Sequence, residues 1–187
     1  MRHEFWEIIR TFKIDNLVFI DESGVNIAMT RLHARALKGK RAHGSRPDKR
    51  GKNVTIIGAI ALRGIVGAMS FKGGNDRNAF ETYINKVLVP NLWKGACVVM
   101  DNFSSHKVSG IKEAIESVGA TLIYLPPYSP DFSPIENCWS KIKEFLRSQA
   151  TRTYSDLDKA LTNAFETISS SDIIGWFKHC GYCISLN

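Results

Sequence analysis

Leu17-Val18-Phe19-Ile20-Asp21 is an apolar, β-prone run that ends in a carboxylate, and Ala96-Cys97-Val98-Val99-Met100-Asp101 repeats the pattern later in the chain. Runs of this kind are typical of strands buried within a sheet. Ligand sites in α/β proteins gather at the carboxyl ends of such strands. If the two strands are neighbours, Asp21 and Asp101 lie close together, although each aspartate alone is equally typical of a turn.

A third carboxylate, Glu136, lies near the start of a helix predicted over residues 134–149, and 34 residues separate it from Asp101. Ser133-Pro134-Ile135-Glu136 also has the pattern of a capping box, in which the glutamate needs no metal. On a helical wheel Glu136 lies with Lys143 and Arg147 along one edge of an apolar stripe. Both interpretations, a helix cap and a metal ligand beside a phosphate-binding edge, therefore stay open. The stripe consists of Ile135, Cys138, Trp139, Ile142 and Leu146.

The order of the other predicted elements favours a single α/β domain, residues 1–187, with a mixed sheet and helices on both faces. We expect a hairpin in which residues 17–20 turn at Glu22-Ser23-Gly24 and pair with residues 24–29. The helix over residues 155–169 is predicted to start with Ser155 as its cap. In chain order, the remaining elements are a helix and turn over 1–16, a hairpin of strands 54–62 and 65–71, a helix over 76–89, a strand over 96–100, a helix over 107–118, a strand over 121–125 and a helix over 172–180.

Basic residues concentrate between residues 31 and 52, a stretch that we call the basic loop. The chain has a net charge of +7, and this loop contains nine cations against Asp48 alone. Such clustering favours a polyanionic partner, namely nucleic acid, over a merely solvated loop. His106 and Lys107 are further candidates for phosphate contacts. The nine cations are Arg31, Arg35, Lys38, Lys40, Arg41, Arg46, Lys49, Arg50 and Lys52.

Several other classes of protein are disfavoured by the sequence. It has no run of about 20 apolar residues, no signal-peptide core and no nucleotide-binding glycine motif. Four cysteines without an export signal predict free thiols in a reducing, cytoplasmic compartment. Cys180 and Cys183 form a C-x-x-C, but a zinc site needs two more ligands and no second such motif is present.

Three motifs together resemble the DDE transposases of mariner-like bacterial insertion sequences, over about residues 17–150. The resemblance implies a ribonuclease H-like fold in which three antiparallel strands precede two parallel ones. It also implies that Asp21, Asp101 and Glu136 are catalytic and hold two Mg²⁺ or Mn²⁺ ions. The motifs are Phe19-Ile20-Asp21-Glu22-Ser23, Met100-Asp101-Asn102 followed by His106-Lys107, and the proline-rich run from Leu125-Pro126-Pro127-Tyr128-Ser129-Pro130-Asp131 to Pro134-Ile135-Glu136.

By this resemblance the chain would cleave DNA at transposon ends and join the freed 3′-hydroxyl to target DNA. The basic loop falls where relatives carry an insertion that contacts DNA or a second subunit, so a homodimer is expected. Relatives also carry a helix-turn-helix region ahead of the first catalytic aspartate, and here about twenty residues precede Asp21. We therefore expect a catalytic half near the nucleoid, with a DNA-binding half supplied in trans.

Two alternatives remain at this point. One is a non-catalytic DNA-binding or dimerisation remnant of a transposase. The other is a nuclease of the same fold that acts on RNA–DNA hybrids.

Overall fold

The computed structural model describes residues 1–74, 77–102 and 110–182 of the chain. His106, Lys107 and Cys183 lie outside the described residues, so the expectations for them stay predictions. Among the described residues, no helix has the length and apolar character needed to cross a membrane.

The core of the fold is a five-stranded mixed sheet in the order β3-β2-β1-β4-β5. The first three strands are antiparallel to one another, and β4 and β5 join parallel to β1. This is the predicted mixed sheet, in which three antiparallel strands precede two parallel ones along the chain. The strands are β1 (Leu17–Val25), β2 (Val54–Ala61), β3 (Gly64–Lys72), β4 (Cys97–Met100) and β5 (Thr121–Tyr124).

Helices cover both faces of the sheet, as predicted. Buried residues of α2 and α3 pack on one face, and those of α1, α4, α5 and α6 pack on the other. The predicted bounds of α4 and its apolar stripe are confirmed. The helices are α1 (Arg2–Ile9), α2 (Arg77–Tyr83), α3 (Ile111–Ser117), α4 (Pro134–Gln149), α5 (Tyr154–Glu166) and α6 (Ser170–His179), and α2 continues as a π-helical segment (Ile84–Leu88).

Side chains of β1 alternate between the two cores. Val18 and Ile20 pack with α2 and α3, whereas Leu17 and Phe19 pack with α4 and its neighbours. Because this alternation has a period of two, Asp21 faces α4.

The predicted hairpin between residues 17–20 and 24–29 is wrong, because β1 runs without a break to Val25 and pairs along its length with β2. Ser23 and Val25 are buried, at 7% and 1% exposure, so the strand still has an inward face beyond Asp21. Gly24 is an extended strand residue, and a Cβ there would lie 2.8 Å from the Asn53 side-chain amide. The glycine marks a close approach of another segment and not a turn.

Two helix starts also differ from the predictions. In α5 the N-cap is Thr153, whose hydroxyl accepts a hydrogen bond from the Asp156 N–H at 3.1 Å. In α6 the N-cap is Ser169, paired with Asp172 in a capping box. Ser and Thr are both favourable N-cap residues. When several of them lie close together in the sequence, only the packing of the helix decides which one is the N-cap.

Candidate active site

Asp21 and Asp101 lie at one edge of the sheet, on neighbouring parallel strands. The parallel ladder between β1 and β4 ends at Phe19 and Val99, and the same register continued by two residues sets Asp21 beside Asp101. Asp101 directly follows β4, as predicted. The expectation that Asp21 ends its strand is wrong, since it pairs opposite Gly58 within the β1–β2 ladder.

Trp139 of α4 fixes the orientation of the Asp21 carboxylate. Its indole Nε1–H donates a hydrogen bond to Asp21 Oδ2 at 3.0 Å. The indole fits there because residue 58 is glycine: a Cβ at Gly58 would lie 2.8 Å from Trp139 Cη2. The sequence pattern alone places Trp139 only in the apolar stripe. A glycine within the apolar run of β2 was the one sequence signal for this contact.

Glu136 does not serve as a helix cap. Ser133 is the N-cap residue of α4, but its side chain makes no capping hydrogen bond. The Ser133 backbone N–H donates to the Pro130 carbonyl oxygen at 2.9 Å, so it is not bonded to the glutamate. The capping-box interpretation is therefore wrong, and the exposed Glu136 carboxylate is left to act elsewhere.

Asp21, Asp101 and Glu136 line one cavity of about 470 Å³, which we call the carboxylate cavity. The rest of its wall consists of Ile20, Asn102, Leu125 and most of residues 126–133, the proline-rich turn. The structure thus brings together the three carboxylates that the sequence singled out.

The N-terminal helix holds the proline-rich turn in place. The Arg2 guanidinium donates to Ser129 Oγ at 2.9 Å and forms an ion pair with the Asp131 carboxylate. The guanidinium carbon also lies 3.9 Å from the centre of the Phe132 ring. Arg2 has no signal in the sequence, because its partners are more than 120 residues away.

Burial in the cavity raises the pKa of Asp21 to about 7. The nearby Glu136 and Asp101 carboxylates raise this pKa further, while hydrogen bonds from the Glu22 backbone and from Trp139 oppose the shift. Ionised together, the three acids repel one another in a partly desolvated space, which a cation would relieve. Three carboxylates are also the hard oxygen donors that Mg²⁺ and Mn²⁺ prefer.

The donor set therefore fits a divalent metal by its chemistry. Within residues 1–74, 77–102 and 110–182, however, no three His, Cys, Asp or Glu side chains lie close enough together to coordinate one metal ion as they stand. The carboxylates share a cavity without being preassembled around an ion.

The nine cations of the basic loop are all exposed. At the base of this loop, Arg46 and Arg50 line a second cavity of about 300 Å³ together with Arg147 of α4. We call it the arginine cavity. Glu136 and Arg147 are about 16 Å apart along the helix axis, so α4 connects the two cavities. Lys143 lies between them and is half-buried.

Arg152, which lies between α4 and α5, and Tyr154, the first residue of α5, anchor the two ends of the basic loop. The Arg152 guanidinium donates to the carbonyl oxygens of Ile27 and Met29, each at 3.2 Å. The Tyr154 hydroxyl accepts a hydrogen bond from the Lys52 N–H at 2.6 Å. Sequence reasoning missed both anchors.

Cys180 is buried, and burial raises the pKa of its thiol to about 11. Cys183, the other member of the C-x-x-C, lies outside the described residues, so the structure does not test this motif as a zinc site.

Residues 16–158 match the family model of the DDE superfamily endonucleases. The chain belongs to this family. Comparison with curated protein sequences gave no match. The matched segment contains all three carboxylates of the cavity and the whole basic loop.

Solved structures with a similar fold include those of the Mos1 mariner transposase. Its catalytic domain superposes with a TM-score of 0.65 at 14% identity, covering 96% of this chain and 84% of that one. Its strand transfer complex gives a TM-score of 0.75 at 17% identity, covering 95% and 56%, and the paired end complex with Mn gives 0.74 at 17%, covering 95% and 57%. The chain thus spans little more than half of the longer transposase chains. The likeness shows that this DDE family member has the ribonuclease H-like fold predicted from its sequence.

Proposed function

We propose that this chain is the catalytic domain of a DNA transposase, which cleaves DNA at transposon ends and joins the freed 3′-hydroxyl to target DNA. The observation that carries the proposal is the convergence of Asp21, Asp101 and Glu136 on one cavity at the edge of a mixed sheet. Membership of the DDE superfamily endonucleases supports it. So does the fold shared with Mos1 transposase in its strand transfer complex.

In this proposal the three carboxylates are the catalytic residues and hold two Mg²⁺ or Mn²⁺ ions. Bound there, such a pair would supply activation of the attacking oxygen and stabilisation of the leaving one. Trp139 holds the Asp21 carboxylate in one orientation, so that fewer degrees of freedom are lost when a cation binds. The proline-rich turn walls the cavity and limits the water around the reacting phosphate.

DNA would reach the cavity along the basic surface. The arginine cavity and Lys143 supply phosphate contacts beside α4, and the exposed cations of the basic loop extend this surface. His106 and Lys107, which follow Asp101 in the sequence, are proposed as further phosphate contacts. Distributed contacts of this kind give affinity that falls steeply with salt.

A homodimer and a second DNA-binding region complete the proposal. Mos1 transposase is described in paired end complexes, and the matched chains extend well beyond the part that this chain covers. The dimer would bring two transposon ends together, while the second region would choose their sequence.

A nicking and strand-transfer assay with matched variants tests the function. In Mn²⁺ we expect wild-type protein to cut a duplex and Asp101→Asn or Glu136→Gln to lose at least about 10²-fold in rate. Glu144→Gln, which changes an exposed carboxylate on the same helix, should cut like wild type. All variants should keep their affinity for DNA within a few-fold.

The alternatives give different results in the same assay. DNA binding without cleavage by wild-type protein would indicate a non-catalytic remnant. Preferential cutting of an RNA–DNA hybrid would indicate a hybrid nuclease. Equal cleavage by wild type and Asp101→Asn would contradict the assignment of the carboxylates.

A further inference from the structure

Tyr128 presents a fully exposed aromatic ring at the carboxylate cavity. The residue is 99% exposed and lines that cavity in the middle of the proline-rich turn. In the described part of the chain, the other large apolar side chains with high exposure are aliphatic: Met1, Ile8, Leu32 and Leu37. An aromatic ring in water gains nothing from the fold, so its presence here calls for another explanation.

The backbone at Tyr128 is also in an unfavourable conformation. Its φ of 54° lies in the left-handed region, which a residue with a Cβ rarely adopts. Among the described non-glycine residues only Ala150 shares a positive φ, and it has an ordinary reason because it ends α4 as the C-cap. Tyr128 ends no helix. Strained backbone of this kind clusters at functional sites.

Hydrogen bonds of the buried Ser129 hold the turn that carries Tyr128 in one conformation. The neighbouring Ser129 is buried, accepts a hydrogen bond from Arg2 at 2.9 Å and donates one to the Pro127 carbonyl at 3.2 Å. Its own carbonyl accepts the Phe132 N–H at 3.1 Å. The backbone beside the ring is therefore ordered before any ligand arrives, so binding to the ring loses little conformational entropy.

We propose that Tyr128 stacks on an unpaired DNA base next to the phosphate that occupies the carboxylate cavity. The inference rests on the proposed function and adds to it a residue that distinguishes unpaired from paired DNA. Within an intact duplex both faces of every base are covered by its neighbours. An aromatic ring therefore binds a base where the strand is nicked, frayed or flipped out. A ring beside the cavity selects DNA that is opened at the site of reaction.

Base stacking can be measured without cleavage. The DNA is a duplex that carries 2-aminopurine either in a short single-stranded overhang or within paired sequence, and the protein carries Asp101→Asn so that the DNA stays intact. We expect the protein to quench the overhang probe, Tyr128→Phe to retain the quenching, and Tyr128→Ala to abolish it. Tyr128→Ala should weaken binding to overhang DNA about tenfold and binding to blunt duplex less than twofold. Ile8→Ala, which removes an exposed apolar side chain from α1, is the matched control.

The unfolding temperature distinguishes base stacking by Tyr128 from a role in holding the fold together. Because the ring is exposed and the backbone strained, Tyr128→Ala should unfold at the temperature of wild type and Tyr128→Gly at the same temperature or higher. Equal quenching by wild type and Tyr128→Ala would overturn the inference even if the chain cleaves DNA. Quenching that depends on Tyr128 would support it even in a chain without strand-transfer activity.

Discussion

At the scale of single residues, the site depends on an arrangement that is unfavourable without a cation. Asp21 lies in a desolvated position near two other acids, and Trp139 holds its carboxylate where charge repulsion would otherwise turn it away. Active sites commonly retain such destabilising groups because the reaction needs them. The consequences are measurable in the stability of the metal-free protein.

Asp21→Asn should stabilise the metal-free chain in a pH-dependent way. The raised pKa means that protonated Asp21 is compatible with the fold, so wild-type stability is lost as pH rises from the ordinary value of 3.8 towards about 7. Asparagine keeps an acceptor for Trp139 and carries no charge. The gain should be small near pH 4 and reach on the order of 4 kcal/mol above pH 7, the free-energy equivalent of a pKa raised from 3.8 to about 7. Thermal unfolding in a chelator measures it.

Divalent metal provides the control for that experiment. Added Mg²⁺ or Mn²⁺ should raise the unfolding temperature of wild type and leave Asp21→Asn nearly unchanged, since a ligand stabilises only the form that binds it. A variant that gains no stability at pH 8 would show that Asp21 is not desolvated.

Gly58→Ala should damage the site through packing alone. The new methyl group would lie 2.8 Å from Trp139 Cη2, and Trp139 is buried, so the indole must move and with it the hydrogen bond to Asp21. We expect a loss of about 1–3 kcal/mol in the free energy of unfolding and a lower rate of cleavage. Gly44→Ala, at a position with open space around it, is the control. Normal stability of Gly58→Ala would contradict the tight packing.

At the scale of elements, the connection from α4 to α5 organises the basic loop. Arg152 and Tyr154 hold its two ends, and Lys72 lies over the Tyr154 ring with its Nζ 4.6 Å from the ring centre. The exposed middle of the loop is thereby given a fixed base beside the arginine cavity. In the proposed function, the DNA contacts of the loop would depend on that base for their direction.

Tyr154→Phe should loosen the base of the loop while the domain stays folded. Phenylalanine keeps the ring but loses the hydroxyl that accepts the Lys52 N–H, so hydrogen exchange of that amide should speed up at least several-fold. The loss in global stability should be about 1 kcal/mol. DNA affinity should fall while the maximal cleavage rate is kept, because the carboxylate cavity is untouched. Unchanged exchange at Lys52 would refute the anchor.

At the scale of the whole molecule, the carboxylate cavity and the basic residues of the arginine cavity lie at the two ends of one helix, α4. The acidic cavity lies near the start of α4 and the arginine cavity near its end. The net charge of +7 is therefore unevenly distributed, with nine exposed cations in a single loop. Such an arrangement attracts a polyanion as a whole and, in the proposed function, confines the acids to the point of reaction.

Neutralising two arginines should change the salt dependence of DNA binding. For the double variant Arg46→Gln with Arg50→Gln, we expect the slope of log affinity against log salt to shrink by about two. The same shift should appear for unrelated sequences, because phosphate contacts carry no sequence information. Removing two exposed charges on the helices, Lys159→Gln with Lys112→Gln, should change the slope less. Equal effects of the two pairs would indicate diffuse attraction instead of a defined path.

The sequence by itself determined the features that depend on local periodicity and composition. The two buried strands, the bounds of α4 with its apolar stripe, the mixed sheet and the basic loop all follow from patterns within a few residues. Asp101 and Glu136 were recognisable because each stands at a junction that such patterns define.

Only the tertiary structure decided how distant residues meet. The continuation of β1 through Asp21 depends on its pairing with β2, and the failure of the capping box depends on a bond from Ser133 to Pro130. The bonds of Trp139 to Asp21, Arg2 to Ser129 and Tyr154 to Lys52 join residues more than 100 positions apart. No local pattern encodes them, because each contact exists only when the packed sheet and helices bring its two partners together.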